Sequence, residues 1–155
     1  MRIGNGFDAH AFADGRKLVL GGVEIPHPCG LEGHSDADAL LHAVIDALLG
    51  AAALGDIGAL FPSSDSRWQG ASSLDLLGRA HEVVRAHGYA VVNIDCTVIA
   101  QEPKLAPHIQ AMRQAIAAAL ALDVPQVSVK ATTSDGMGFT GRSEGIAALA
   151  TVLLE

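Results

Sequence analysis

The chain has 155 residues, half of them hydrophobic and 4% aromatic, which suits one domain over residues 1–155 with a core that needs no disulfide staples and excludes a disordered chain. Lys and Arg number 10 against 17 Asp and Glu, a formal charge of -7 without any basic block; a nucleic-acid groove or an anionic-lipid surface is therefore disfavoured as a main partner. The apolar stretch Ile146 to Leu154, broken by Thr151, falls far below the ~20 residues of a membrane span, the N-terminus has no apolar signal region, and Cys29 and Cys96 form no C-x-x-C pair, so a cytoplasmic chain with free thiols is expected.

Residues 2 to 25 read as extended. Lys17 to Leu20 and Val23 to Ile25 flank Gly21-Gly22, a two-residue hairpin signal. Leu40, Leu41, Val44, Ile45, Leu48 and Leu49 then recur at helical spacing, with Ser35 as the expected N-cap and Asp38 as its acidic partner three residues on. Pro62 to Gly70 is polar, Ser-rich and unperiodic, and reads as a mobile surface loop. A second helix starts near Ser72 and Ser73, turns Leu74, Leu77 and Val84 inward and stops at Gly88. In Tyr89 to Ala100, Ile94, Cys96 and Val98 alternate with Asn93, Asp95 and Thr97, the period of a strand. Pro107 suits the first turn of a third helix running through Leu122. Gln126 to Thr133 is a further strand, Ser134 to Gly145 a Gly-rich loop, and Ile146 to Leu154 a final buried strand. The sum is an α+β fold, a two-layer sandwich with a mixed sheet and helices on one face. The other sheet face needs cover as well, and other copies of the same chain are the expected source.

Among candidate chemical groups, Asp8 and His10 lie at i and i+2, on one side of a strand. His42 lies on the helix stripe Asp38, His42, Asp46, opposite the leucines. Two His and one carboxylate with an open fourth position is the ligand count of a catalytic zinc site, and Asp46 is the candidate to orient the His42 imidazole. The same set fits a non-haem iron facial triad, although that chemistry usually sits on a β jelly roll and three helices argue against one. A solvated helix-face histidine is the bland alternative for His42. Gly136 to Gly141 matches G-x-G-x-x-G, but no helix of the required kind follows and the chain ends too soon for a dinucleotide fold. Thr132, Thr133, Ser134 and Asp135 with these glycines read either as a phosphate- and cation-holding loop or as a plain hairpin connection. His34, just before Ser35, can meet an anion at a helix start. His27, His81, His87 and His108 have structural explanations, His81 as part of an exposed helix face, and Asn93 and Asp95 read as the wet side of a strand.

Taken together, Asp8-Ala9-His10, Gly33 to Asp38 with Leu41-His42-Ala43, Gly55 to Gly58 with Phe61-Pro62, Pro103-Lys104, Lys130 to Thr133, and Gly138 to Arg142 with Glu144-Gly145 closely resemble the 2-C-methyl-D-erythritol 2,4-cyclodiphosphate synthase family over essentially the whole chain. The resemblance implies an enzyme of the non-mevalonate isoprenoid pathway that cyclises 4-diphosphocytidyl-2-C-methyl-D-erythritol 2-phosphate and releases CMP. By that resemblance Asp8, His10 and His42 bind zinc, Asp135 holds magnesium (or manganese) with the substrate diphosphate, and His34 and Thr133 stabilise the transition state. It also implies that Asp56 and Gly58 contact the ribose, that Ala100, Pro103, Lys104, Leu105 and Ala106 hold cytosine, and that Phe61, Pro62, Ser63, Ser64 and Asp65 lie along the erythritol. Ser35, Thr132, Ser134, Phe139 and Arg142 complete the implied substrate-contacting set. The family works as a homotrimer with sites between subunits, and the resemblance leaves open an isoprenoid phosphate near Arg142 at the trimer axis. Ser63-Ser64 and Asp135 depart from the acidic loop and the Glu more common in the family. The rival reading is a non-catalytic phosphate-binding trimer, which predicts a damaged metal triad.

Overall fold

The hairpin expected around Gly21-Gly22 is present in the computed structural model, which describes residues 1–155. Strand β1 (Arg2–Ala13) leads into β2 (Leu18–Leu20) and β3 (Val23–Ile25), which pair with each other. Gly21 and Gly22 sit at φ +58° and +75°, the left-handed backbone that a two-residue turn demands at both positions. A two-residue strand, β4 (Gly30–Leu31), lines the edge of β1. Further along come β5 (Val91–Ile99), β6 (Val127–Thr132) and β7 (Gly145–Leu154). The main sheet runs β4-β1-β7-β5-β6; only β5 and β6 are parallel, so the sheet is mixed.

Helices α1 (Ala39–Ala52), α3 (Ser73–Ala86) and α4 (Ile109–Ala119) supply the second layer, with one-turn helices α2 (Ile57–Leu60) and α5 (Gly138–Gly141) in connections. Helix α1 is apolar almost all round and buried except along His42, Asp46 and Gly50, the signature of a helix enclosed on several sides. It lies very close to β1. A Cβ on Gly4 would fall 2.1 Å from the Ala47 carbonyl oxygen, and one on Gly6 2.0 Å from that of Ala43. Only glycine in the strand, facing alanine in the helix, allows this approach. None of the helices is long and apolar enough to cross a membrane, and Cys29 and Cys96 are free thiols.

Several local expectations are corrected. The N-cap of α1 is Asp38, not Ser35; its carboxylate accepts the Leu41 N–H at 3.0 Å. Ala37 has φ +58°, so the helix cannot begin at Ser35, whose hydroxyl instead accepts the Ala37 N–H at 3.2 Å. Pro107 sits in a 3-10 turn, Ala106–His108, and α4 behind it ends at Ala119 rather than Leu122. The Gly-rich stretch after Ser134 contains α5, and Pro62 to Gly70 contains a 3-10 turn, Ser66–Trp68, whose Trp68 ring packs edge-on against Phe61 at 5.0 Å. His81 is only 8% exposed. Strand β7 is central and buried toward the helices, yet Leu149 on its other side is 46% exposed, beside Phe7 at 56% and Ile3 at 72%. On that helix-free face Ile3, Phe7 and Leu149 leave an apolar patch over β1 and β7 uncovered in the single chain, while Asp95 and Lys130 form an exposed ion pair over β5 and β6.

Candidate metal centre and substrate clefts

Asp8 and His10, two residues apart on β1, point to the face that α1 covers, and the first turn of α1 brings His42 above them. Their metal-competent atoms converge. His10 Nε2 is 2.8 Å and His42 Nδ1 3.0 Å from Asp8 Oδ2, and the two nitrogens are 3.1 Å apart. Three donors facing one another at this spacing can hold a metal ion, and two imidazoles with one carboxylate suit a divalent transition metal with room for a further ligand. The far sides of the rings are anchored as such a site requires. His10 Nδ1–H donates to the Glu32 carbonyl at 2.6 Å, which leaves the Nε2 lone pair for the triad. His42 Nε2 lies 3.1 Å from Ser35 Oγ and 3.0 Å from Ser73 Oγ. Asp46 does not orient His42. Its carboxylate accepts the Ile57 N–H at 2.8 Å and fastens the start of α2 instead.

The electrostatics of the triad favour a bound cation. Burial alone would raise the Asp8 carboxyl, but hydrogen bonds from His10 and His42 and their charge outweigh it and hold Asp8 well below the usual carboxylate range. Burial pulls His10 down, yet the Asp8 hydrogen bond and charge, helped by the Glu32 carbonyl, raise it above the ordinary imidazole value. A cluster that retains a proton in this way is one in which a metal ion competes with that proton.

A cavity of about 360 Å³ opens beside the triad. His10, His34, Ser35 and His42 form its polar side, Ile57, Phe61, Trp68 and Leu76 its apolar side, and Gly58, Pro62, Ser63 and Ser64 its rim. Trp68 and Leu76 were not legible as site residues in the sequence. His34 is exposed, with Nε2 3.4 Å from the Asp65 carbonyl, and its segment is clamped by Arg16, which donates from Nη1 to the Gly33 carbonyl at 2.9 Å and from Nη2 to that of Ser35 at 2.6 Å. No spacing in the sequence pointed to Arg16. Asp56 caps α2 by accepting the Ala59 N–H at 2.8 Å.

A second cleft, also about 360 Å³, lies where β5 and β6 end, lined by Ala100, Pro103, Lys104, Leu105 and Ala106 with Thr132 and Thr133. Thr133 therefore belongs to this cleft and not to the metal triad. Two strands, β7 and β5, separate β1 from β6, which at ~4.8 Å per strand sets the two places roughly 14 Å apart or more. Asp135, exposed at φ +52°, accepts the Thr133 hydroxyl proton at 3.2 Å. Ser134 donates to the Met137 carbonyl at 2.6 Å, Phe139 is exposed, and Arg142 pairs with Glu144 at 2.6 Å. A larger groove between α3 and α4, about 700 Å³, holds none of these groups.

Fold, triad and clefts together define one class, and the chain belongs to it: the YgbB family, whose model matches residues 1–155. A curated relative from Syntrophomonas wolfei, 61% identical over 155 residues and covering 100% of this chain and 99% of its own, is named 2-C-methyl-D-erythritol 2,4-cyclodiphosphate synthase. Among solved structures, a 2C-methyl-D-erythritol-2,4-cyclodiphosphate synthase in a CDP-bound form is 39% identical with a TM-score of 0.91 over 99% of this chain and 100% of that one. The bifunctional IspDF from Campylobacter jejuni is 49% identical with a TM-score of 0.95; the match covers 99% of this chain and 42% of that longer protein.

Proposed function

We infer that this chain converts 4-diphosphocytidyl-2-C-methyl-D-erythritol 2-phosphate to 2-C-methyl-D-erythritol 2,4-cyclodiphosphate with release of CMP, a step of the non-mevalonate isoprenoid pathway, and that residues 1–155 act as one catalytic domain in the cytoplasm. The observation that carries the reading is the convergence of Asp8, His10 and His42 beside a cleft with one polar and one apolar wall. Its identity to full-length synthases supports the substrate. The intact triad also argues against a phosphate-binding protein without catalysis.

The 2-phosphate oxygen attacks the β-phosphorus, a new P–O bond closes the ring, and the bond to the α-phosphate breaks as CMP departs. The attacker is already an anion, so little base catalysis is needed and positioning carries most of the acceleration. Asp8, His10 and His42 would hold zinc, which supplies Lewis-acid withdrawal of charge from the phosphoryl group. Asp135, one methylene shorter than the more common Glu, would hold magnesium, which neutralises diphosphate charge. His34, fixed from behind by the Arg16 fork, offers its ring N–H to the phosphoryl oxygens, and the Thr133 hydroxyl does the same from the other side. Phe61, Trp68, Ile57 and Leu76 pack the methylated carbon skeleton and exclude water. Asp56 and Gly58 meet the ribose, and Ser63, Ser64 and Asp65 flank the erythritol. The Ala100–Ala106 cleft receives cytosine, a reading supported by the CDP held by a relative of the same fold. Ser35, Thr132, Ser134, Phe139 and Arg142 complete the substrate wall.

His34, in the cleft by β1, and Thr133, past the end of β6, lie towards opposite edges of one chain's sheet, so a complete site draws its metal half from one copy and its nucleotide half from a neighbour. A homotrimer closed through the helix-free face satisfies this need and buries Ile3, Phe7 and Leu149. Arg142 and Glu144 then stand near the three-fold axis, where an isoprenoid phosphate would compete for Arg142. The test is direct: purified protein given zinc, magnesium and the cytidyl substrate should yield CMP and the cyclic diphosphate in equal amounts. CMP without cyclic product, or neither, overturns the reading.

A further inference from the structure

We propose that Asp36 and Ser73 form a positioning relay that sets which nitrogen of His42 faces the metal triad; the proposal rests on the metal-site reading above and assigns these two residues a role in it. His42 Nε2, the nitrogen turned away from Asp8, lies 3.0 Å from Ser73 Oγ. Ser73 is fully buried, at 0% exposure, so water does not compete for its hydroxyl. A serine hydroxyl has one proton to give. Ser73 gives it to Asp36 Oδ1, and an ionised carboxylate can only accept. Towards His42, Ser73 therefore has lone pairs and no proton. The imidazole must supply the proton from Nε2, and its Nδ1 is left as a lone pair aimed at Asp8 Oδ2 and His10 Nε2. That is the protonation pattern a metal-binding histidine needs.

Ser35 cannot make this choice. Its hydroxyl oxygen lies 3.1 Å from the same nitrogen and accepts the Ala37 N–H at 3.2 Å, but its own proton has no committed acceptor, so it can either give to His42 or take from it. Asp36 is committed three times, its Oδ1 also accepting the Asp38 N–H at 3.3 Å. Its Oδ2 accepts the Ser73 N–H at 2.9 Å, which serves an orphan donor at the start of α3, where Ser72 in the cap position makes no side-chain bond. One carboxylate thus caps the start of α3 and orders the proton on a residue of α1.

Asp36→Asn separates this role from a structural staple. Of the two backbone donors on Asp36, the Ser73 N–H at 2.9 Å is closer than the Asp38 N–H at 3.3 Å, so the amide oxygen faces Ser73 N–H; the NH2 group then lies against Ser73 Oγ and reverses the hydroxyl, so that Ser73 donates to His42 Nε2 and drives the imidazole proton to Nδ1. Shape and the bond to the Ser73 N–H are kept; the longer bond from the Asp38 N–H is lost, and urea unfolding reads what that costs. Nitrogen-15 NMR of the zinc-free protein at fixed pH should show His42 protonated at Nε2 in the wild type and shifted towards Nδ1 in Asp36→Asn. Zinc affinity, read by competition with a chromophoric chelator, should fall about 10- to 100-fold in Asp36→Asn and Ser73→Ala, with little loss in Ser35→Ala. Urea midpoints serve as the control for folding. An unchanged tautomer in Asp36→Asn, or zinc affinities in both variants within about twofold of wild type, overturns the relay and leaves a staple only. A wild type that binds no zinc overturns the metal-site reading instead, and the tautomer measurement still decides the relay.

Discussion

Asp38 carries a carboxylate into the interior with 0% exposure. It accepts N–H bonds from Gly22 at 2.7 Å, Gly21 at 2.9 Å and Leu41 at 3.0 Å, so a single side chain caps α1 and ties the β2–β3 turn to it. Burial first, and the neighbouring Asp36 charge after it, push its carboxyl from the ordinary 3.8 up to about 6, although the three N–H groups pull the other way. The folded chain then binds this proton more tightly than the unfolded chain does. The resulting stabilisation is complete below the unfolded value of 3.8 and is lost as pH rises through about 6. A carbon-13 NMR titration of the Asp38 carboxyl should give a midpoint near 6; one at or below the ordinary value would contradict the account. Burial also raises the Cys96 thiol to about 12, which keeps it protonated and unreactive at neutral pH.

Between elements, the decisive contact is that of β1 with α1. A methyl group on Gly6 would meet the Ala43 carbonyl oxygen, a backbone atom that cannot rotate away. Gly6→Ala should therefore push the helix off the strand, cost about 3 kcal/mol or more in urea unfolding, and weaken zinc binding, since Asp8 and His10 ride on one element and His42 on the other. A change under ~1 kcal/mol would mean that the helix yields easily. The same two elements explain what could be read from the sequence. Asp8, His10 and His42 were legible because periods of two and 3.6 are local, and each places a residue on a face without knowledge of the fold. Asp46 misled because a shared helix stripe does not say which donor will claim a carboxylate; the Ile57 N–H, beyond the helix end, claims it. Ser73 and Asp36, 37 positions apart, leave no periodic trace of their contact. Ser35 and Asp38 are equally good cap residues, and it is the left-handed Ala37 and the turn glycines that select Asp38. His81 is a different failure: four after Leu77 and three before Val84, it already lay on the buried stripe, and its polarity hid what its spacing said. The central place of β7 follows from strand order, which no single strand's pattern encodes.

Over the whole molecule, the two clefts lie apart on one sheet, the triad by β1 and Thr133 beyond β6. If each complete site joins the triad of one copy to the second cleft of the next, a lesion in either half inactivates a uniform trimer. A chain with His42→Ala still offers a sound nucleotide cleft, and a chain with Thr133→Ala still offers a sound triad. Any mixed trimer then contains one interface where the two sound halves meet, so co-expression of the two variants in equal amounts should restore roughly a quarter of wild-type turnover from two parents that have little of their own. Activity no higher than that of the parents would place each site within a single copy. In genetic terms, two alleles of one gene that each fail alone would complement in the same cell, and a map of which alleles complement would sort the substrate residues by the edge of the sheet they occupy.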